Sequence, residues 1–254
     1  MGNTGLDAPT PEHLDRIVAS YAGSRPGYPA AVFDQLRKAH VVGPGVRVLE
    51  IGAGTGEATT DLVATGADVT AVEPRPVLAK TLAERVPQAR VVVQRLEDLD
   101  LAPGSFDAAI GATSLHWLSL DTALPMLHDA LRAQGRLAVL RTTFGDASVK
   151  TPFRRRVAEI VKSRVEATAD KRGLRPTMRE LTESGLFLPV DSWEWPWSIE
   201  LTAGQIERLF TTFSDWSPAE VAQARAAADD LGGKIVEHYR TWLHVLEKAP
   251  GPRA

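Results

Sequence analysis

The stretch Val48–Thr60, VLEIGAGTGEATT, decides how the rest of the chain is read. An apolar run, Val48, Leu49 and Ile51, carries one acid, Glu50, and runs into three alternating glycines, Gly52, Gly54 and Gly56. Such spacing lets a backbone approach a guest closely, because no Cβ stands in the way. A dinucleotide fingerprint requires G-x-G-x-x-G. Counted from Gly52 the sixth residue is Glu57, and counted from Gly54 it is Thr59, so the pattern fails in both registers. The phosphate-cradling loop needs a Lys-Ser or Lys-Thr pair, and none follows these glycines. Glu50 repels a pyrophosphate and attracts a cation.

Outward from this loop, strands and helices alternate. Val46–Ile51 has almost no polar face, as expected of a strand covered on both sides. The glycine loop leads into a helix ending near Gly66. Asp68–Glu73 reads as a second strand, followed by a helix to Val86 that Pro87 stops. Arg90–Gln94, Phe106–Gly111 and Arg136–Arg141 read as three more strands, with a helix at Asp121–Arg132 ending at Gly135. This order implies an α/β fold with a parallel sheet and right-handed crossovers. Before it, Thr10 and Pro11 open a helix broken by Arg25–Pro29, and a second helix spans about Ala30 to His40. After it, Val190–Leu201 suits a strand. Thr202 with Gln205 caps a helix burying Ile206, Leu209, Phe210 and Phe213, and Ser217 with Glu220 caps another. Glu237–Leu246 suits a last strand. The expected organisation is an N-terminal helical lid over residues 1–40 and one larger domain over 41–254, with a basic helical insertion at about 146–189.

A second acid narrows the guest. Glu73 ends the second strand, where an acid in a doubly wound sheet takes both hydroxyls of a ribose. A nucleoside with a positive charge and no phosphates fits both acids, and S-adenosylmethionine is such a molecule. At this point the chain resembles the class I S-adenosylmethionine-dependent methyltransferases. VLEIGAGTG, Val48–Gly56, matches their first motif, Glu73 in VTAVEP their ribose-binding acid, and Arg95–Gly111 their third-strand exit and fourth strand. The resemblance implies a Rossmann-like, doubly wound sheet of seven mostly parallel strands, the last one inserted antiparallel. It implies that Glu50, Gly52, Gly54, Gly56 and Glu73 hold the cofactor, and that Leu96 and Glu97 hold its adenine. It also implies that Gly111–Leu118, with Ala112, runs past the methyl group. The segment Ser20–Pro29, SYAGSRPGYP, is similar to a subgroup that methylates small molecules, the trans-aconitate methyltransferase-like proteins.

Methyl transfer needs positioning above all, and a base only where the acceptor must lose a proton. His116, just past the fourth strand, is the candidate base; the alternative is a helix-start histidine with local bonds. Tyr21, Arg25, Tyr28 and Trp117 are candidate acceptor-binding residues, against a plain packing role. Trp193, Trp195 and Trp197 alternate on one face of a strand, as an acceptor wall or as core. Lys150–Arg179 carries ten basic residues against three acids, which suits an anionic acceptor, RNA, or an ordinary solvated face.

Composition limits the rest. The 254 residues include no cysteine, which excludes disulfides, thiolate metal sites and a cysteine nucleophile, and which fits a cytoplasmic setting. No histidine pair has metal-ligand spacing beside a carboxylate, so no metal is expected. A net charge of −3 argues against general nucleic-acid binding. The start lacks a signal-peptide pattern, Leu6 breaks the myristoylation pattern, and no apolar run reaches membrane-spanning length. The leading reading is methyl transfer to a small-molecule acceptor, at oxygen. The rivals are an RNA methyltransferase, a cofactor-binding protein without catalysis and, more distantly, a nicotinamide enzyme.

Overall fold

A computed structural model of the protein describes residues 24–164, 176–213 and 215–250. Its centre is a seven-stranded sheet in the order β3-β2-β1-β4-β5-β7-β6. The strands are β1 (Arg47–Ile51), β2 (Asp68–Val72), β3 (Arg90–Val92), β4 (Phe106–Ala112), β5 (Leu131–Phe144), β6 (Phe187–Thr202) and β7 (Lys234–Lys248). The first five pair in parallel, and β7 pairs antiparallel with β5, from Arg136 against Glu247 to Phe144 against Tyr239. Strand order reverses between β1 and β4, so the crevice at their carboxyl ends is where such a sheet receives ligands.

The helices are α1 (Ala30–Lys38), α2 (Thr59–Ala64), α3 (Pro76–Arg85), α4 (Leu120–Ala130), α5 (Pro152–Lys162), α6 (Met178–Thr182), α7 (Ala203–Thr211) and α8 (Pro218–Asp230). One core joins Val32, Phe33 and Leu36 of α1, Leu62 of α2 and Leu82 of α3 to Val48, Ile110, Leu140 and Leu243 of the sheet. The opposite core joins Leu124 and Leu127 of α4 and Leu181 of α6 to Leu49, Leu137, Val139 and Leu246. Burial on both faces explains why β1 reads as an almost unbroken apolar run.

The described chain falls into two compact units. One holds 27–144, 176–197 and 239–250, and with them β1 to β5 and most of β6 and β7. The other holds 24–26, 145–164 and 198–238 without residue 214. In this second unit Phe153 packs edge-on to Phe210, and Phe210 to Trp216. Capping boxes at Thr202/Gln205 and Ser217/Glu220 start α7 and α8 as the sequence predicts.

Several boundaries differ from the sequence reading. Helix α4 ends at Ala130, well before Gly135, because Leu131 is buried and already pairs with Phe106 on β4. Gln134, at φ 61, makes the turn expected of the glycine. Phe213 lies beyond α7: the Thr212 N–H and hydroxyl both bond back to the Leu209 carbonyl, and the Phe213 ring packs edge-on to Phe210 instead. Strand β6 starts earlier than Val190, at the buried Phe187, and it tolerates Pro189 and Pro196 because it is the sheet's edge. The helix expected after Thr10 lies outside the described residues. Among the described residues no helix is long and apolar enough to cross a membrane.

Candidate active site

The loop after β1 folds back over the end of β2, with the N–H groups of Gly52 and Ala53 both donating to the Val72 carbonyl. All three glycines take positive φ: 66° at Gly52, 61° at Gly54 and 88° at Gly56. Their surroundings differ. A Cβ on Gly52 would stand 2.6 Å from Ser114 Cβ, and one on Gly56 2.6 Å from Leu82 Cδ1. A Cβ on Gly54 would meet only Glu57 Oε2, at 3.8 Å. Gly52 and Gly56 therefore serve packing inside the protein, whereas Gly54 faces open space where a guest can approach.

The two acids differ as well. Glu73 is buried and accepts from Gly54 N (2.9 Å) and Arg75 N (3.0 Å), one bond on each carboxylate oxygen. Each oxygen keeps a second lone pair, enough for a ribose hydroxyl apiece. Burial raises its pKa, and these two N–H bonds oppose the rise. Glu50 is 1 % exposed, and its Oε2 has no hydrogen-bond partner. Burial pushes its pKa up to about 8; the nearby Thr59 hydroxyl is the chief counterweight, and the Glu57 and Glu73 charges add to the rise. Yet Thr59 Oγ1 also lacks a partner with hydrogen-bond geometry. A buried carboxylate with an unmet oxygen is costly unless a donor or a cation reaches it. The residues present therefore fit the ammonium and ribose of S-adenosylmethionine: Glu50 for the charge, Gly54 for the approach and Glu73 for the diol.

At the neighbouring strand ends, Leu96 opens a short 3-10 turn (Leu96–Asp98) with its side chain in the core, so only its backbone can face a ligand. Glu97 is held by Arg95 Nε at 3.4 Å. Ala112 closes β4, and Thr113 follows at φ 58, an uncommon and strained conformation for a β-branched residue. Its hydroxyl meets the Tyr28 phenol at 3.0 Å and accepts from Thr142 N at 3.4 Å, while its N–H donates to Leu140 O. Ser114 bonds back to the Ile51 carbonyl and ties this loop to β1. His116 and Trp117 lie in the next 3-10 turn with ring centroids 4.7 Å apart, and Trp117 is 53 % exposed.

Thr113 and Ser114 join Tyr28 here, within the Gly111–Leu118 stretch but with no motif that singles them out. The signal for them is faint: two small hydroxyl residues directly after a buried strand. Arg25 belongs to the other unit, where it donates to Thr212 Oγ1 and Thr212 O, both at 3.2 Å, and lies over Phe213. Tyr21 lies outside the described residues. Trp193 and Trp195 pack on the core, and Trp197 donates to Thr241 Oγ1 and stacks on Tyr239. In the basic stretch, Arg154 pairs with the buried Glu237, Arg156 with Asp230, and Arg164 with Glu220 and Asp215. Lys171, Arg172 and Arg175 lie outside the described residues.

Residues 49–139 match a family model described as a methyltransferase domain. Among curated proteins, an uncharacterized methyltransferase of Mycobacterium tuberculosis is 37% identical over 126 residues, 50% of each chain. The malonyl-[acyl-carrier protein] O-methyltransferase of Pseudescherichia vulneris is 31% identical over 155 residues, covering 60% of this chain and 56% of that one. The chain thus spans about half the length of the curated relatives it matches. A solved structure from Anaeromyxobacter dehalogenans, provisionally assigned as a type II methyltransferase, has a TM-score of 0.64 at 22% identity, covering 89% of this chain and 99% of that one. That likeness is one of fold. Over residues 49–139 the chain matches a methyltransferase domain, and that span runs from β1 into β5 of the seven-stranded sheet.

Proposed function

We propose that the protein transfers a methyl group from S-adenosylmethionine to a small-molecule acceptor, at oxygen. The observation that carries the donor side is Glu50 Oε2, buried and unpartnered below a loop whose Gly54 faces open space. When bound, the cofactor supplies an electrophilic methyl on a sulfonium leaving group. The protein's share is to bind, orient and keep water out. Glu50 meets the positive charge, Glu73 orients the ribose, and the Ala112–Ser114 turn lines the path of the methyl group. His116 takes the acceptor's proton where the acceptor is a hydroxyl; an acceptor that arrives ionised needs no base.

One observation supports a small acceptor and another supports oxygen as the accepting atom. Arg154, Arg156 and Arg164 of the basic stretch are engaged by acids, which leaves less charge for an RNA backbone. The relative from Pseudescherichia vulneris bears the name of an O-methyltransferase, which favours oxygen as the accepting atom. The test has two stages. S-adenosylhomocysteine should raise the melting temperature by mass action, while NAD and ATP should not. Methyl-labelled S-adenosylmethionine with a metabolite extract and with total RNA should then label the small-molecule fraction. A shift with NAD alone sinks the donor assignment. Label entering RNA, with binding that weakens steeply in salt, sinks the acceptor class.

A further inference from the structure

The outer half of the sheet carries a half-buried guanidinium that has no counter-ion among the described residues. Arg141 sits near the carboxyl end of β5, directly after the residue whose carbonyl takes the Thr113 N–H. It shares a sheet face with Leu137 and Val139, and register places it beside Trp242 of β7. The guanidinium lies over the Trp242 ring, 4.5 Å from its centroid. Its Nε is buried and has no hydrogen-bond partner, and among the described residues no carboxylate is within ion-pair distance of it.

The nearest acid along β6, Glu194, is engaged elsewhere: one oxygen takes Arg240 and the other takes Trp242 Nε1 at 2.9 Å. On the other side, His244 is half-buried and its Nδ1 meets Ser192 Oγ at 2.7 Å. Burial, helped by the Arg141 charge, lowers the His244 pKa. A buried histidine can shed its charge in this way. An arginine keeps its charge near neutral pH, and no acid among the described residues pairs with Arg141.

We infer that Arg141, stacked on Trp242 beside His244 and Ser192, is a binding site for an oxyanion group of the acceptor. The planar guanidinium presents parallel N–H donors, which match the two oxygens of a carboxylate or two of a phosphate. Trp242 holds the guanidinium plane, and Ser192 with His244 borders the anion. This inference rests on the methyltransferase reading, since it names the class of acceptor that the same carboxyl edge takes.

The experiment uses the full chain saturated with S-adenosylhomocysteine and labelled with 15N-arginine. Succinate and inorganic phosphate are titrated in separate arms while the Arg141 Nε–H resonance, assigned by its loss in Arg141→Lys, is followed. The expected result is a saturable shift of that resonance with at least one probe. Competition by the other probe tells which oxyanion is preferred. Arg141→Lys keeps the charge but loses the fork, and should weaken probe binding at least tenfold. The melting-temperature rise with S-adenosylhomocysteine should be unchanged in that variant. No shift with either probe at constant ionic strength overturns the inference, as does a shift that is linear and unsaturated. Failure of S-adenosylhomocysteine to bind wild type is a separate outcome and strikes the donor reading instead.

Discussion

The two ends of the sheet's carboxyl edge carry opposite unmet charges. Over β1 and β2, a buried carboxylate, Glu50, has an oxygen without a donor. Over β5 and β7, a half-buried guanidinium, Arg141, has a buried N–H without an acceptor. Within one domain such groups would lower the energy by meeting each other, but strands β1 and β5 are separated by β4. On the proposed function, this contrast would let two substrates be sorted by charge before any shape is read. As proposed above, a cationic donor is drawn to one end and an oxyanion of the acceptor to the other, with the Ala112–Ser114 turn between them. The ends also differ in material. The donor end is built from backbone and glycine, the other end from side chains brought together by register.

The largest effects are expected at the glycines. Gly54→Val should leave a folded protein but weaken S-adenosylhomocysteine by roughly a hundredfold, an overpacking cost of about 3 kcal/mol. Gly52→Val should lose the fold, because its Cβ runs into Ser114. Calorimetry beside a thermal melt separates the two; equal binding by Gly54→Val and wild type would empty the donor site. Next comes His116. If it takes a proton from a hydroxyl acceptor, His116→Ala lowers the rate by roughly a hundredfold with cofactor affinity intact. His116→Gln with full rate and an unchanged pH profile would remove it as the base.

A smaller effect is expected at the acids. Glu73→Ala should cost on the order of 1.5–3 kcal/mol of cofactor affinity, and unchanged affinity would take Glu73 out of the site. Glu50 adds a pH signature. Its pKa is raised from 4.5 to about 8 on folding, so the folded state without cofactor holds a proton that the unfolded chain has lost. The resulting stability is fully present below pH 4.5 and declines as pH climbs from there to about 8. Glu50→Gln should flatten that decline in melts taken across this range. In wild type near neutral pH, a bound cation should expel the proton, so the heat of S-adenosylhomocysteine binding should change with the buffer's ionisation enthalpy. Identical heats in phosphate and Tris would contradict it. The smallest change is expected from Thr113→Gly. Relief of the positive φ, about 1 kcal/mol, offsets the lost hydroxyl bonds of similar worth, so the melting temperature should barely move. A large fall would mean that Tyr28 and Thr142 depend on Thr113 more than two bonds imply.

The donor end was legible in the sequence because it is encoded locally. Glycine spacing, an acid within the run and a second acid at the next strand end are all short-range patterns, and β1 to β4 appear within a few residues of where periodicity put them. Arg141 was not legible in the same way. In the linear chain it simply closes the strand RLAVLR, and nothing nearby announces Trp242 or His244. Only the antiparallel register between β5 and β7 brings them together. Thr113 was missed for a related reason, since a positive φ on a threonine contradicts local preference and is imposed by neighbours. The tryptophans on β6 were correctly placed on one face, but alternation alone did not say whether that face met ligand or core.

Strand order has a further consequence, in the time domain. Strand β7 lies between β5 and β6, although β6 is made first. Its contacts with β7 run in opposite order along the two strands, Glu200 with Lys234 and Glu194 with Arg240. During synthesis β6 therefore emerges before its partner exists, with its backbone donors and acceptors unpaired and with Leu188 and Val190 exposed. Pro189, Pro196 and the charges of Asp191 and Glu194 guard it in that interval, because they discourage pairing with another nascent chain. The sheet closes only when the segment around Lys234–Lys248 clears the ribosome. The distal side of the sheet is therefore the last part of the molecule to form, so an arrest placed just before β7 should yield a chain whose first five strands are protected from protease while β6 is cut.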